Sequence, residues 1–317
     1  MQNKIALYGA GNVGATTAHW LAQKELGDIA LFDIYQQIAE GKALDLMQSG
    51  PAAGFDAKIT GSNHPEIIAD ANIVVVSAGV PRRKDPETGK YPGRDELIKI
   101  NQVVMEQAAE HIKHYAPNSI VIVVTNPIEA MCHVVKEVTG FANERIIGQA
   151  GALDTTRYKA FIAMELGVSV KDVNGLVIGG HGDAMVPLPT HTTISGIPIL
   201  DLISEKRLEE IIHRTAHGGG EIVNLLGYSS YYAAAAATAQ TIESILKDQK
   251  RLIPSVVYTQ GEYGYTDLFI GLPTILGCKG AEKIIELNLD FDEKAKLEHS
   301  MNAVKEVVAL LGYGGDC

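Results

Sequence analysis

Cysteine is scarce in this chain. Only Cys132, Cys278 and Cys317 occur in 317 residues. The number is odd, no CxxC is present, and none sits at metal-ligand spacing. A disulfide framework is therefore not expected, and neither is a metal site. The pattern suits a reduced protein of the cytoplasm. Long apolar runs are also missing, since none reaches the roughly 18 residues that a membrane span needs. The start, Met1-Gln2-Asn3-Lys4-Ile5, enters structure at once and lacks the layout of a signal peptide. Basic residues are outnumbered: 27 Lys and Arg face 38 Asp and Glu, a net charge of −11. Such a chain repels phosphate backbones and anionic membranes, so neither is an expected partner. A small anionic ligand still fits if arginines gather in one cleft.

What remains is ordinary globular composition, 46% hydrophobic and 21% charged. The length fits two domains. A chain of this size buries roughly 75% of its unfolded surface and needs no staples. In the first half, short apolar runs at Lys4–Tyr8, Asp28–Phe32, Ile73–Ser77 and Ile120–Val124 lack period-2 alternation. That is how strands covered on both faces of a parallel sheet read. Helical patterns at Val13–Lys24, Gln37–Gln48 and Asp95–Tyr115 lie between them. Repeated strand–helix units predict a doubly wound α/β domain of the Rossmann type over residues 1–147. Ligands then belong at the C-terminal ends of its strands.

The character changes near residues 145–150. Residues 148–317 read as an α+β domain. Helices are expected at Ser204–Leu226, Ser230–Leu246 and Asp292–Leu311. Strand-like pieces fall at Val173–Ile178, His191–Ile199 and Ser255–Tyr258, with a hairpin tip at Ser195-Gly196. The alanine run Ala233–Ala237 reads as a helix with close neighbours, inside the subunit or across an interface.

Gly9-Ala10-Gly11-Asn12-Val13-Gly14 is a GxGxxG. The pattern alone is weak, but it directly follows a strand and opens a helix. Asp33 lies nineteen residues after Gly14, at the end of the second strand. Together these make the dinucleotide-binding fingerprint. Gly9 allows the tight turn, Gly11 lets the backbone approach a pyrophosphate, and Gly14 permits close packing. The helix N-terminus offers N–H groups to phosphate. Asp33 is suited to a ribose hydroxyl and would repel a 2′-phosphate, which favours NAD over NADP.

A second constellation lies further along. Gly179-Gly180-His181-Gly182-Asp183 sets a histidine among small residues, where a ligand approaches closely. A lone histidine, one of ten, is more often structural. Asp154 and Arg157 change those odds, because an i, i+3 pair shares one helix face. One orients an imidazole while the other grips a carboxylate. An intrahelical surface pair is the plainer alternative.

GAGNVG, LFDI, SAGVPRR, VTNP, GALDTTR, GGHGD and DLFIGLP run through nearly the whole chain. In these stretches it resembles the lactate/malate dehydrogenase family, closest to the lactate-dehydrogenase-like malate enzymes. The resemblance implies oxidation of (S)-malate to oxaloacetate with NAD, a step of the tricarboxylic acid cycle. It implies His181 as proton acceptor, Asp154 as its partner, Arg157 on the substrate's 1-carboxylate and Asn126 as a hydrogen-bonding group. Asn12, Val13, Asn101, Val124 and Asn126 join the glycines and Asp33 as expected cofactor contacts. A homotetramer, or a dimer, is implied as well.

The stretch from Ala78 to Arg94 reads as a long loop and a candidate lid. Arg82, Arg83, Lys84, Lys90 and Arg94 reverse the charge of an acidic chain there. By the resemblance, Arg82 meets a second carboxylate and Arg94 polarises the substrate carbonyl, with Arg83 a rival for Arg82. A neutral residue at the specificity position would mean pyruvate, so lactate or another 2-hydroxy acid is the alternative substrate. The chain departs from the family in two places. The loop is longer between Lys84 and Pro92. Ser230 stands where malate enzymes carry alanine and lactate enzymes threonine. Two other classes compete. An NAD-dependent glycosidase would need a metal, and Cys132-His133 is the only adjacent pair on offer. An NAD sensor would not need Asp154, Arg157 and His181 together.

Overall fold

The structure is a computed structural model that describes residues 3–80 and 94–313. The expected lid residues Arg82, Arg83, Lys84 and Lys90, and Cys317, lie outside the described residues. Arg94 is placed only as the first residue of a helix.

The first half alternates as its apolar runs require. Its order is β1 (Lys4–Tyr8), α1 (Asn12–Gln23), β2 (Asp28–Phe32), α2 (Gln36–Ala53), β3 (Ile59–Ser62), β4 (Ile73–Val76), α3 (Arg94–Tyr115), β5 (Ile120–Val123), α4 (Ile128–Thr139) and β6 (Ile146–Gly148). These strands form a parallel sheet in the order β3-β2-β1-β4-β5-β6. Order reverses at β1, where β2 and β4 lie on opposite sides, and that opens a crevice above the strand ends.

Neither face of this sheet's central strands meets water. Ile5, Leu7, Ile29, Leu31, Ile73 and Val75 pack on one side with Ala18 and Leu21 of α1. Ala6, Tyr8, Ala30, Phe32, Val74 and Val76 pack on the other with Ile98 and Met105 of α3 and Met131 of α4. Strand side chains alternate between faces. Two covered faces therefore demand an unbroken apolar run, and each large buried side chain contributes about 1.5–3 kcal/mol.

The second half contains α5 (Gly151–Leu166), β7 (Val173–Asn174), β8 (Val177–Gly179), β9 (Met185–Pro187), β10 (Thr193–Ile194), β11 (Ile197–Pro198), α6 (Glu205–Leu226), α7 (Tyr232–Leu246), β12 (Arg251–Gln260), β13 (Thr266–Gly277), β14 (Gly280–Ile284) and α8 (Phe291–Ala309). The main sheet does not stop at β6. β12 pairs with it antiparallel at Val256 and Gly148, and β13, β8 and β9 follow. One sheet thus joins the two halves. The hairpin at Ser195-Gly196 forms between β10 and β11. Asp290 caps α8 by accepting the Glu293 N–H at 2.8 Å, and Glu293 reaches back to Asp290 in a capping box.

Several boundaries differ from expectation. The single strand expected at Val173–Ile178 is two. β7 joins β10 in the small sheet and β8 joins β13 in the large one, because the chain changes sheets at Gly175-Leu176. The short strand expected at Ser255–Tyr258 runs from Arg251 to Gln260. Its partner β13 carries Pro273 opposite Pro254, and internal prolines hide a strand from pattern reading. α7 begins at Tyr232, which leaves Ser230 in the preceding turn. The alanine run packs inside the subunit: Ala234 and Ala237 lie buried with Ala18 and Leu21.

Candidate active site

The strand ends of β1, β4 and β5 build the first part of the site from backbone. Gly9 turns at φ +113, and a Cβ there would stand 2.6 Å from Ala78 N. A Cβ on Gly14 would fall 1.9 Å from the Gly9 carbonyl oxygen, so α1 could not approach the turn. A Cβ on Gly11 meets nothing within 4 Å. The middle glycine thus borders open space while the other two are closed in. Asn12 and Val13 form the first turn of α1 behind it.

Asp33 stands beside this turn. Its Oδ2 accepts the Ala10 N–H at 2.9 Å and its Oδ1 the Tyr35 N–H at 3.1 Å. A carboxylate has about four acceptor positions, so two remain for a ligand hydroxyl. Val124 is half-buried and donates its N–H to the Val76 carbonyl at 2.9 Å. Asn101 is buried, with its amide occupied by backbone. Its Oδ1 accepts the Val80 N–H at 2.7 Å and its Nδ2 donates to the Asn126 carbonyl at 2.7 Å. It ties the loop after β4 to the loop after β5. Gln149, just past β6, is buried, and neither of its amide atoms has a partner among the described residues. Leaving such groups unmet costs about 1–3 kcal/mol each. These features fit a dinucleotide at the strand ends.

The second part is built from side chains. His181 follows β8 in a loop, and Asp154 and Arg157 share the first turns of α5. His181 Nδ1 lies 2.9 Å from Asp154 Oδ2. Arg157 Nη1 donates to Asp154 Oδ1 at 3.3 Å, and its Nη2 reaches Ser230 Oγ at 3.4 Å. Asp154 is buried, and only 12% of the Arg157 side chain and 18% of the His181 side chain are exposed. One carboxylate therefore serves both side chains in a nearly dry place. This is not the intrahelical surface pair of the plainer reading.

Burial pulls the His181 pKa down. The charge and hydrogen bond of Asp154 outweigh it, and the net shift is upward from 6.5. A raised value means that this ion pair stabilises the fold fully below about pH 6.5. The contribution fades as pH climbs through the folded value. Burial lowers the Arg157 pKa against the pull of Asp154, but a guanidinium stays charged.

Two groups hold the histidine loop that sequence reasoning did not single out. Ser300 of α8 accepts the Gly180 N–H at 2.8 Å and donates to the Ala184 carbonyl at 2.6 Å. Glu129 of α4 accepts the His181 N–H at 2.7 Å. Burial raises the Glu129 pKa, against the opposing charge of His181. An acid in the apolar first turn of α4, Ile128-Glu129-Ala130-Met131, was the available signal for Glu129. Ser300 has none. Asn126, Glu129 and His181 line a shared cavity of about 60 Å³. Cys132 is buried, and His133 Nε2 accepts the Phe269 N–H at 3.2 Å, which commits that ring to packing.

Comparison with known proteins agrees with this geometry. Residues 3–148 match the lactate/malate dehydrogenase NAD-binding domain, and residues 151–310 match that family's alpha/beta C-terminal domain. The chain belongs to the lactate/malate dehydrogenase family. It carries that family's NAD-binding domain, and NAD is its cofactor. The chain is 50% identical over 315 residues to the malate dehydrogenase of Geobacillus thermodenitrificans, covering 98% of each chain. The malate dehydrogenase structure from Salinibacter ruber superposes with a TM-score of 0.92 at 44% identity, covering 98% of this chain and 97% of the other. The lactate dehydrogenase of Cryptosporidium parvum, solved with lactic acid and cofactor, superposes at 0.93 with 34% identity over 99% of each chain. Among the described residues no helix is long and apolar enough to cross a membrane.

Proposed function

We propose that the protein interconverts (S)-malate and oxaloacetate with NAD and NADH. The observation that carries this reading is Asp154 bonded to His181 on one oxygen and to Arg157 on the other. That set joins a base to a carboxylate grip, in a chain akin to malate dehydrogenases over almost its full length. Bound NAD supplies the hydride acceptor. His181 takes the hydroxyl proton at Nε2, because Nδ1 is committed to Asp154. Asp154 fixes the tautomer and stabilises the imidazolium. Arg157 holds the 1-carboxylate, a charge-assisted contact of about 1.5–3 kcal/mol. The strand-end crevice holds NAD through Gly9, Gly11, Asn12, Val13, Gly14 and Asp33, with Val124, Asn126 and Asn101 at the nicotinamide end.

The residue that meets the second carboxylate is Arg82, and Arg94 polarises the carbonyl. The division of labour falls near residue 148: the first part holds the cofactor and lends Arg82 and Arg94 to the substrate, and the second supplies His181, Arg157 and the pocket walls. A homotetramer is the proposed assembly. Exposed apolar Ile38, Leu44 and Met47 on α2 support association, and sedimentation tests it. The free thiols Cys132 and Cys278 suit the reducing cytoplasm, where the reaction would serve the tricarboxylic acid cycle.

A lactate-type substrate is the second reading. It is favoured by the Ser230 hydroxyl beside Arg157, a polar group at the position that separates the two specificities. The test is kcat/KM for oxaloacetate against pyruvate with NADH. Preference for oxaloacetate by about a hundredfold or more matches a desolvated second carboxylate paired with a cation. Arg82→Gln should erode that preference and Arg83→Gln should not. Preference for pyruvate would overturn the malate assignment.

A further inference from the structure

His181 is held by two carboxylates from different parts of the chain. Asp154 of α5 holds its ring at 2.9 Å. Glu129 of α4 holds its backbone N–H at 2.7 Å. Glu129 is only 6% exposed, among otherwise apolar buried neighbours on its helix. A buried carboxyl is costly and is retained only where a partner repays it. Among the described residues its side chain makes one hydrogen bond to another residue, His181.

The position explains the use. α4 starts directly after Asn126-Pro127, at the strand end where the cofactor and substrate meet. Glu129 and Asn126 line the same small cavity as His181. The bond therefore spans the two halves of the chain, from the first turn of α4 to the loop after β8. Ser300 fixes the preceding residue, Gly180, from α8. The loop is thus pinned at two consecutive N–H groups, and rotation of the His181 backbone would break one of them.

We propose that Glu129 is the positioning residue for His181, clamping its backbone so that Nε2 stays aimed at the substrate hydroxyl. This rests on His181 being the acid/base. Asp154 sets the ring's rotation and tautomer, while Glu129 sets the point from which the ring projects. A shift of about 1 Å in such a group costs on the order of a hundredfold in rate.

The test compares Glu129→Ala, which removes the acceptor, with Glu129→Gln, which keeps an acceptor oxygen and removes the charge. Readouts are kcat and KM for oxaloacetate, NADH affinity by fluorescence titration, and thermal melting. Expected for Glu129→Ala is a loss of about 10- to 100-fold in kcat, with NADH affinity within about twofold of wild type. Glu129→Gln should recover kcat to within about threefold, because its amide oxygen still accepts the N–H. An Ala variant within twofold of wild type in kcat overturns the proposal. So does a Gln variant as impaired as Ala, which would make the group an electrostatic element. If Glu129→Ala does not fold, Glu129→Asp decides, since its carboxylate is withdrawn by one methylene. It should lose kcat with NADH affinity kept, and unchanged kcat overturns the proposal. His181→Asn is the control: if it turns over normally, the acid/base assignment has failed rather than the Glu129 inference.

Discussion

The cofactor end and the chemical end of this site are built from opposite materials. At the strand ends of β1, β4 and β5 the ligand surface is backbone, shaped by what glycine lacks. Around His181 the surface is side chain, and it is shaped by charges that water scarcely reaches. The first arises from contiguous residues 9–14 and one acid at the next strand. The second draws on α4, α5, the loop after β8, and α8. A backbone cradle tolerates many substitutions around it, because each N–H contributes a little. A desolvated charge cluster does not, because removing one member strands the others.

That contrast is sharpest in a His181→Asn variant. Turnover should fall by about 10²–10⁴-fold while NADH titration stays unchanged. Parallel loss of NADH binding would show that the two ends are not separable. Asp154→Asn comes next, with kcat down on the order of 10- to 100-fold, as for other groups that orient a functional histidine. It should also move the alkaline limb of oxaloacetate reduction toward lower pH. Asp154 is the largest cause lifting the His181 pKa above 6.5, ahead of Glu129, and reduction needs the protonated ring. A limb that stays in place would assign the rise to another group. Arg157→Gln should lower kcat/KM roughly 10- to 100-fold, in keeping with about 1.5–3 kcal/mol for a charged contact. Steady-state kinetics would show the loss in KM for the 2-oxo acid and not for NADH.

Smaller effects belong to the backbone-built end. Asp33→Ser should narrow the preference for NADH over NADPH by about tenfold, one lost charged contact. Unaltered selectivity would remove Asp33 from the adenosine end. Smallest of all is Gly220→Ala, in the exposed part of the glycine run of α6, where a Cβ meets nothing within 4 Å. It should stabilise by about 1 kcal/mol, or about 2 °C in a melting curve, with kinetics unchanged.

Legibility in the sequence followed the same divide. β1, β2, β4 and β5 were readable because a strand covered on both faces must be apolar at every position. β3 was not, since Ile59-Thr60-Gly61-Ser62 carries a single large apolar residue and is held by pairing with β2. β13 was missed as a strand because Pro273 interrupts it. The pairing of β12 with β6 had no local signature at all. At the site, Asp154 and Arg157 were legible as an i, i+3 pair, and His181 by its glycine neighbours. Ser300, 120 residues from the Gly180 it holds, was not.

By itself the sequence determined the doubly wound half, the dinucleotide turn with its acid, and the three residue types of the chemistry. These are local properties: periodicity, a glycine at a positive φ, a spacing along one helix. Only the tertiary structure decided that one carboxylate serves both His181 and Arg157. It alone decided that the Gln149 amide has no partner among the described residues, and that Glu129 and Ser300 hold the His181 loop. Those facts depend on distances between segments far apart in the chain. Burial turns such distances into large energies, because water is no longer there to satisfy or screen the groups.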